Sequence, residues 1–353
     1  MHAFVSKKKV IFFTPSLDLE NAILAHTWNW IIEICSQVAE VECYPIHLGK
    51  IAKELPSNLT LKEIGGGDTF KRIRATKRLL VIFFRTVRNQ KKESLVIYHM
   101  IKEPGIILGP LFFFARVKQA LWYSHWRAGL ILKFVCTFVD MIYTPTSNSF
   151  PFQKNKKLQV TGHGIDSNTF FYNKEIAKSY QRVYSVGRVA RVKRIENLLE
   201  IAPKVPKLKS IELVGPVSDL KYFHELQELA QKQNINLVST GEIPYSRVAK
   251  VFQESGIYYF GSPNTLDKAA IQAAMCGSMV ISDDRVALES IGMKEIWNLH
   301  LDEREIPPLV DQLTILLEID PNKFLKLQEQ IANESRLRHS TSNLISKILQ
   351  TAG

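Results

Sequence analysis

Short runs of branched and aromatic residues alternate with longer segments of helical period along this chain of 353 residues. Strands that alternate with helices form parallel sheets covered on both faces, so the pattern predicts an α/β fold with doubly wound sheets. No short period repeats, which excludes solenoids. The predicted strands are 10–14, 41–45, 95–98, 120–123 and 141–144 in the first half and 183–186, 210–214, 237–239, 257–260 and 279–282 in the second. The predicted helices are 24–38, 70–87 and 224–233, with others starting at Glu196, Ser246 and Lys268.

The strand pattern occurs twice, and the length suffices for two domains with separate cores. A polar stretch at 170–179 marks the boundary. We therefore expect an N-terminal domain over 1–170, a C-terminal domain over 171–335, and a helix over 336–353 that packs back toward the N-terminal domain. Ligands of doubly wound sheets bind at the carboxyl ends of the strands, so a cleft between the two sheets is the expected site.

The cysteines and the apolar segments indicate the compartment. Four cysteines lie in apolar patterns without metal-ligand spacing, which predicts buried thiols in a reducing compartment and no metal site; they are Cys35, Cys43, Cys136 and Cys276. No signal-peptide pattern precedes the first predicted strand. The longest uncharged apolar stretch, 105–115, is shorter than the roughly 20 residues that a membrane helix needs. We expect a cytoplasmic protein, free in solution or peripheral to a membrane.

The segment Tyr184-Ser-Val-Gly-Arg-Val-Ala-Arg-Val-Lys-Arg-Ile195 predicts an anion site. An apolar strand ends there at Gly187 and Arg188, and Lys193 follows just before a helical pattern. A strand that turns through glycine into a helix directs backbone N–H groups and the helix dipole at a ligand. The two cations would neutralise a diphosphate.

A second loop-to-helix phosphate cradle is predicted over 262–277. This segment, Ser262-Pro-Asn-Thr-Leu-Asp-Lys-Ala-Ala-Ile-Gln-Ala-Ala-Met-Cys-Gly277, contains a loop, a short helix and a terminating glycine, and a strand follows it.

The net charge of +12 is concentrated in one segment, where nine basic residues and no acidic one lie between positions 71 and 92. They are Lys71, Arg72, Arg74, Lys77, Arg78, Arg85, Arg88, Lys91 and Lys92. One interpretation is a solvated helix face, and the other is a surface that binds anionic lipid head groups. Nucleic acid ranks last because no RNA- or DNA-binding motif accompanies the charge.

Several motifs occur together in an order typical of one enzyme family. They are Gly162-His-Gly-Ile-Asp166, Gly187-Arg188 with Lys193, Leu213-Val-Gly215, Gly241-Glu-Ile-Pro-Tyr245 and Ala274-Met-Cys-Gly277. In this order the sequence resembles the retaining glycosyltransferases of group 1, family four, over nearly the whole chain and most closely in its C-terminal half. The resemblance implies the GT-B fold, two Rossmann-like domains facing a cleft.

The resemblance also implies roles for individual residues. Arg188 and Lys193 would grip the diphosphate of a nucleotide-sugar donor, and the reaction would need no metal and no cofactor. Trp122-Tyr-Ser-His125 resembles the segment that carries the active-site histidine of the family, although a core histidine bonded to backbone is the alternative for His125. Gly187 in the first anion site, and Leu266, Asp267 and Lys268 in the second cradle, are further candidates for donor binding.

The chain departs from the family at its paired glutamates, which are separated by seven residues. Alignment on Met275-Cys276-Gly277 places Asn264 at the first position and Gln272 at the second, where the family typically binds the ribose. A glutamine accepts through a single oxygen, so donor binding is expected to persist but weaken. A phosphate contact from Lys268 would offset this loss, which favours a diverged enzyme over an inactive one.

The remaining candidates lie at strand and helix ends. His26 and Trp30 share one predicted helix face bordering an acceptor cleft, although Trp28 and Trp30 are also expected in the core. His99 ends a strand and is a second acceptor-side candidate. His163 lies between two glycines at the expected domain junction, as a hinge beside the donor. Glu289 and Glu295 are assigned to the surface.

The sequence thus predicts a glycosyltransferase that moves a hexose from a nucleotide sugar to a glycan or lipid-linked acceptor, at the inner membrane face, for cell-surface polysaccharide or glycolipid synthesis. A catalytically silent GT-B partner subunit or nucleotide-sugar sensor is the alternative, since both glutamates are replaced. A GT-B sugar epimerase is a third option.

Overall fold

The computed structural model describes residues 6–20, 24, 26–65, 69–90, 93–125, 127–262, 266–300 and 306–351. The chain forms two compact units. Unit 1 consists of Met1–Gly164 and Thr341–Gly353, and unit 2 consists of Ile165–Ser340. The boundaries derived from the sequence, 170/171 and 335/336, lie a few residues from these.

Unit 1 is built on a parallel sheet of seven strands in the order β3-β2-β1-β4-β5-β6-β7. The strands are β1 (Ser6–Leu17), β2 (Val38–Leu48), β3 (Leu59–Leu61), β4 (Ser94–His99), β5 (Lys118–Trp122), β6 (Met141–Thr144) and β7 (Leu158–Val160). The strand order reverses between β1 and β4, where Val10 pairs with Val41 on one side and Leu95 on the other.

Four helices connect these strands, and they are α1 (Thr27–Gln37), α2 (Thr69–Gln90), α3 (Glu103–Phe114) and α4 (Leu130–Phe138). Successive side chains of a strand point to opposite faces of its sheet, so β1 contributes to two cores. Val10 and Phe12 pack with α1, whereas Ile11 and Phe13 pack in the core that also holds apolar side chains of α2, α3 and α4.

Unit 2 contains a parallel sheet of five strands in the order β10-β9-β8-β11-β12. The strands are β8 (Ser179–Val186), β9 (Ser210–Val214), β10 (Asn236–Gly241), β11 (Ser255–Tyr259) and β12 (Met279–Ile281). The helices are α5 (Ile195–Ile201), α6 (Leu220–Lys232), α7 (Tyr245–Glu254), α8 (Lys268–Met275), α9 (Arg285–Ile291), α10 (Met293–His300), α11 (Leu309–Glu318) and α12 (Pro321–His339).

The last helix, α13 (Thr341–Thr351), belongs to unit 1 and packs on α1. Leu344, Ile345 and Ile348 are buried in the core on that side of the sheet. Two hydrogen bonds tie the helix to the strands: the Lys8 ammonium donates to the Leu349 carbonyl at 2.8 Å, and the hydroxyls of Tyr143 and Thr351 pair.

All ten predicted strands are present, with ends that shift by a few residues. Two strands were missed, β3 and β7; each has only three residues and lies at a sheet edge. The four cysteines are buried and form no disulfide, as predicted. No helix in the described part of the chain is long and apolar enough to cross a membrane.

The basic segment forms most of α2, but its charges do not all face solvent. Arg78 donates to the carbonyl oxygens of Glu63 and Ile64, at 2.9 and 2.7 Å, and Arg85 pairs with the buried Glu42 carboxylate. Arg78 is exposed although these carbonyls bind its guanidinium, whereas Arg85 is half-buried. Lys91 and Lys92 and the side chains of Lys71 and Arg72 lie outside the described residues.

Candidate functional site

The carboxyl edge of the unit 2 sheet gathers most of the predicted donor residues. Its strand order reverses between β8 and β11, and a crevice for a ligand forms outside the carboxyl ends of strands at such a point. Gly187 follows β8 directly, and α8, which begins at Lys268, is the helix that follows β11. The two segments predicted to bind phosphate therefore meet at the centre of this edge.

Glycines allow the loops at this edge to pack backbone against backbone. A Cβ atom on Gly215, whose φ is +144°, would lie 2.1 Å from the carbonyl oxygen of Gly187. A Cβ atom on Gly261 would lie 2.2 Å from the carbonyl oxygen of Lys193. Any side chain at either position would displace the loop after β8, so both glycines shape the predicted diphosphate site.

Lys193 is held by a carboxylate at the centre of this edge. Its ammonium pairs with the side chain of Asp267, and its Nζ atom lies 3.8 Å from the position a Cβ atom of Gly187 would take. Asp267 also caps α8, since its carboxylate accepts from the Ala269 amide at 3.1 Å. The ammonium of Lys193 thus lies over Gly187 and has a carboxylate as its partner.

Several amides of the Gly187 loop are bonded within the protein. The Gly187 amide donates to Val214 O at 2.8 Å, and the Lys193 amide donates to Ala190 O at 2.8 Å. The amide of Ile195, the first residue of α5, donates to the Tyr222 hydroxyl at 2.8 Å. These three amides are therefore occupied within the protein, and the short 3₁₀ turn Arg191–Lys193 before α5 accounts for the bond of Lys193. The cationic side chains of Lys193 and of the exposed Arg188 are the groups of this loop that could contact an anion.

The start of α8 carries the other predicted donor residues. Leu266 is buried, and Lys268 is half-buried at the first helical position, where burial lowers the pKa of its ammonium to about 8. Gln272 is 8% exposed, and its Nε2 atom donates to the Tyr245 hydroxyl at 3.3 Å. Asn264 lies outside the described residues.

Tyr245 was missed as a candidate residue, although it ends the motif Gly241-Glu-Ile-Pro-Tyr245 used for the resemblance. It begins α7, shortly after the carboxyl end of β10, and it is 64% exposed. The Gln272 contact makes it part of the site. The sequence did contain one indication of its role, an aromatic residue shortly after a predicted strand.

In unit 1 the corresponding edge is filled with aromatic side chains. His99 ends β4, is completely buried, and places Nδ1 3.2 Å from the Thr14 hydroxyl. Its ring centroid lies 4.7 Å from that of Trp30 and 5.3 Å from that of Trp122. His26, at the start of α1, lies 6.2 Å from His99 by ring centroid. The two acceptor-side candidates are therefore neighbours.

His125 is exposed in the loop after β5, and its Nδ1 accepts from the Arg127 amide at 3.0 Å. The alternative of a core histidine is therefore wrong. Trp28 and Trp30 are buried, as expected for core residues, and Trp30 Nε1 donates to the Gly164 carbonyl at 3.2 Å. His163 is buried at the end of the first segment of unit 1.

The two surface glutamates form ion pairs. Glu289 lies 3.4 Å from Lys294 and Glu295 lies 2.8 Å from Arg338. No group of His, Cys, Asp and Glu that could hold a metal ion occurs among the residues the structure describes.

Comparison with known proteins identifies the architecture. No family model and no curated protein sequence matches the chain. Among solved structures, HepE of Anabaena in complex with UDP is 12% identical, with a TM-score of 0.68 over 97% of this chain and 99% of that one. The fold is GT-B. The lipopolysaccharide outer core galactosyltransferase WaaB, in apo form, has a TM-score of 0.61 at 12% identity, covering 98% of each chain. AviGT4, a glycosyltransferase involved in avilamycin A biosynthesis, has a TM-score of 0.58 at 12% sequence identity. The match covers 98% of this chain and 97% of AviGT4. These likenesses confirm the predicted fold class, two Rossmann-like parallel-sheet units.

Proposed function

We propose that this protein is a glycosyltransferase that moves a hexose from a nucleotide sugar to a glycan or lipid-linked acceptor, with retention of configuration, in cell-surface polysaccharide or glycolipid synthesis. The observation that carries the proposal is the position of Lys193 over Gly187, beside the start of α8. One structural neighbour supports it by what it binds, since HepE is seen with UDP and with UDP-glucose.

In this proposal the donor diphosphate lies over Gly187 and replaces Asp267 as the partner of Lys193. Arg188 and Lys193 then stabilise the negative charge that grows on the departing diphosphate, which is electrostatic catalysis at the leaving group. Lys268 adds a third cation from the start of α8. A carboxylate and a diphosphate compete for one ammonium, so the ion pair is a ground-state contact that donor binding breaks.

The remaining donor contacts come from the positions that replace the glutamate pair. Gln272 accepts a hydrogen bond from a ribose hydroxyl, Leu266 contacts the donor, and Asn264 orients the sugar. Unit 1 contributes the acceptor side through His26 and His99, and His125 acts at the reaction centre. The chemistry needs no metal or cofactor. The basic face of α2 binds an anionic membrane surface at the cytoplasmic face, where a lipid-linked acceptor would be presented.

Calorimetric titration with uridine, guanosine and adenosine diphosphates tests the donor site. Arg188→Ala and Lys193→Ala should each weaken diphosphate binding by about 1.5–3 kcal/mol, the range for a charge-assisted contact, and leave binding of the bare nucleoside nearly unchanged. Arg191→Ala is the matched control. Arg191 lies in the same turn, but its guanidinium pairs with Glu225 at 2.7 Å. Equal losses for nucleoside and diphosphate would contradict the assignment.

A catalytically silent subunit or nucleotide-sugar sensor is the second candidate, because amides replace both carboxylates of the family. Release of nucleoside diphosphate from a nucleotide sugar separates the two functions. An enzyme releases it and accelerates when acceptor is added, whereas a sensor binds the donor and leaves it intact. If no nucleoside diphosphate binds to the wild-type protein, both candidates fail and only the fold stands.

A further inference from the structure

Large apolar side chains are exposed on three neighbouring helices of unit 1. The exposed fractions are 64% for Val81 and 65% for Phe84 on α2, 50% for Phe113 and 79% for Phe114 on α3, and 86% for Leu130 and 43% for Phe134 on α4. We call these six residues the apolar face. Scattered single side chains of this kind are normal on a soluble protein, whereas grouped ones mark a binding surface.

The helices that carry the six side chains pack side by side. Helix α2 packs against α3, and α3 packs against α4. On α4, Phe134 contacts Phe138 at 5.0 Å between ring centroids, and Phe138 contacts Phe113 of α3 at 5.7 Å. Phe114 adjoins Phe113 at 5.5 Å. These contacts connect the exposed rings of α3 and α4 into a continuous aromatic ridge.

Cations flank the apolar face on the same helices. Along α2, the exposed residues Arg74, Lys77, Val81, Phe84 and Arg88 follow spacings of three and four, which puts them in one stripe. Lys133 is exposed next to Phe134 on α4. Neither α2 nor α4 contains an acidic residue. The surface is therefore apolar at its centre and positive at its border.

We propose that the apolar face inserts into an anionic lipid bilayer, with Phe113, Phe114, Leu130 and Phe134 below the head groups and the flanking cations on lipid phosphates. Bulky apolar side chains bordered by Lys and Arg are the combination that interfacial helices use. The proposal rests on the membrane binding in the proposed function and extends it. There, the basic face of α2 alone attracts the membrane, and salt weakens that electrostatic attraction. Insertion adds a component that salt does not remove, because burial of apolar surface is not electrostatic.

Co-sedimentation with vesicles tests the proposal. Vesicles of phosphatidylcholine with phosphatidylglycerol should bind the wild-type protein at low salt, and a fraction of the binding should persist at high salt. Phe114→Ser with Leu130→Ser should lower the binding constant about tenfold or more and remove the salt-resistant fraction. These are the most exposed members of the face, so the change leaves the core intact.

Two further variants complete the design. Lys77→Glu with Arg88→Glu should remove the salt-sensitive fraction. Arg78 is left unchanged because its guanidinium holds two carbonyls. The matched control is Leu220→Ser with Leu325→Ser, two leucines of unit 2 that are 67% and 44% exposed. The control should bind vesicles like the wild-type protein.

Three outcomes would overturn the proposal. The first two are no binding to anionic vesicles at low salt and unchanged binding by the Phe114→Ser, Leu130→Ser variant. The third is a dimer of the wild-type protein without lipid, seen in light scattering, that this variant dissociates. The last would make the face an interface between two copies. Titration with nucleoside diphosphates distinguishes failure of this proposal from failure of the proposed donor site. Diphosphate binding without vesicle binding overturns only this inference, and vesicle binding without diphosphate binding overturns only the donor site.

Discussion

The amide nitrogen of Gln272 in α8 donates a hydrogen bond of 3.3 Å to the hydroxyl of Tyr245 in α7. In this arrangement the amide nitrogen is turned to the tyrosine, which accepts the bond, and Oε1 is left for another partner. In the proposed donor site Gln272 would thereby offer an acceptor, the property of the glutamate at this position in the family it resembles. A glutamate needs no such orientation because both of its oxygens accept.

This relationship predicts that Tyr245 positions Gln272 for ribose binding. Tyr245→Phe should weaken binding of a nucleoside diphosphate several-fold and binding of its 2′-deoxy analogue much less, as measured by calorimetry. Gln272→Glu should hold or tighten binding, and Gln272→Leu should lose it. In the Gln272→Glu background, Tyr245→Phe should have little effect. Equal losses for the ribose and deoxyribose ligands would show that Tyr245 acts by packing alone.

The ion pair of Lys193 and Asp267 predicts a gain of affinity. Asp267→Asn removes the competing charge and keeps an oxygen that can accept from the Ala269 amide, so diphosphate binding should tighten, and more at low salt than at high salt. Glu225→Gln is the matched control, since it releases Arg191 in the same way without affecting the proposed donor site. Weaker binding by Asp267→Asn would mean that Asp267 positions Lys193 rather than competes for it.

Lys268 predicts a pH dependence of donor binding. Burial lowers the pKa of its ammonium to about 8, so the cation is present at neutral pH and is lost as the pH rises through that value. Diphosphate affinity should therefore fall between about pH 7 and pH 9. Lys268→Arg should remove the fall, because a guanidinium keeps its charge. Lys268→Met should bind more weakly at neutral pH with a flatter profile; a profile like that of the wild-type protein would contradict the phosphate contact.

Gly215 predicts a stability effect that reaches the site. In Gly215→Ala the new methyl group would meet the Gly187 carbonyl oxygen at 2.1 Å, and φ of +144° is strained for alanine. We expect a loss of more than about 1 kcal/mol in urea unfolding, together with weaker diphosphate binding. Gly241→Ala has positive φ but nothing within 4 Å of its new methyl group. It should cost about 1 kcal/mol and leave diphosphate affinity unchanged.

The sequence predicted the fold well because buried parallel strands form continuous apolar runs. It failed for β3 and β7, which are too short to show a pattern. It predicted a helix after Lys193 and another at Lys268, next to Asp267, but the contact of Lys193 with Asp267 joins residues far apart in the chain, which no local pattern encodes. The same holds for Gln272 and Tyr245. The charge run on α2 did not indicate the contacts of Arg78 with backbone carbonyls or of Arg85 with Glu42, because a count of charges does not show where each side chain points.

The placement of α13 sets an order for the folding of this chain during its synthesis. Unit 2 is one uninterrupted segment, so it can fold as soon as it leaves the ribosome. Unit 1 is interrupted, and one of its cores includes Leu344, Ile345 and Ile348. Until those residues are translated, the surface of α1 that they cover stays open to water and to chaperones. The first unit to be made is therefore the last to be completed.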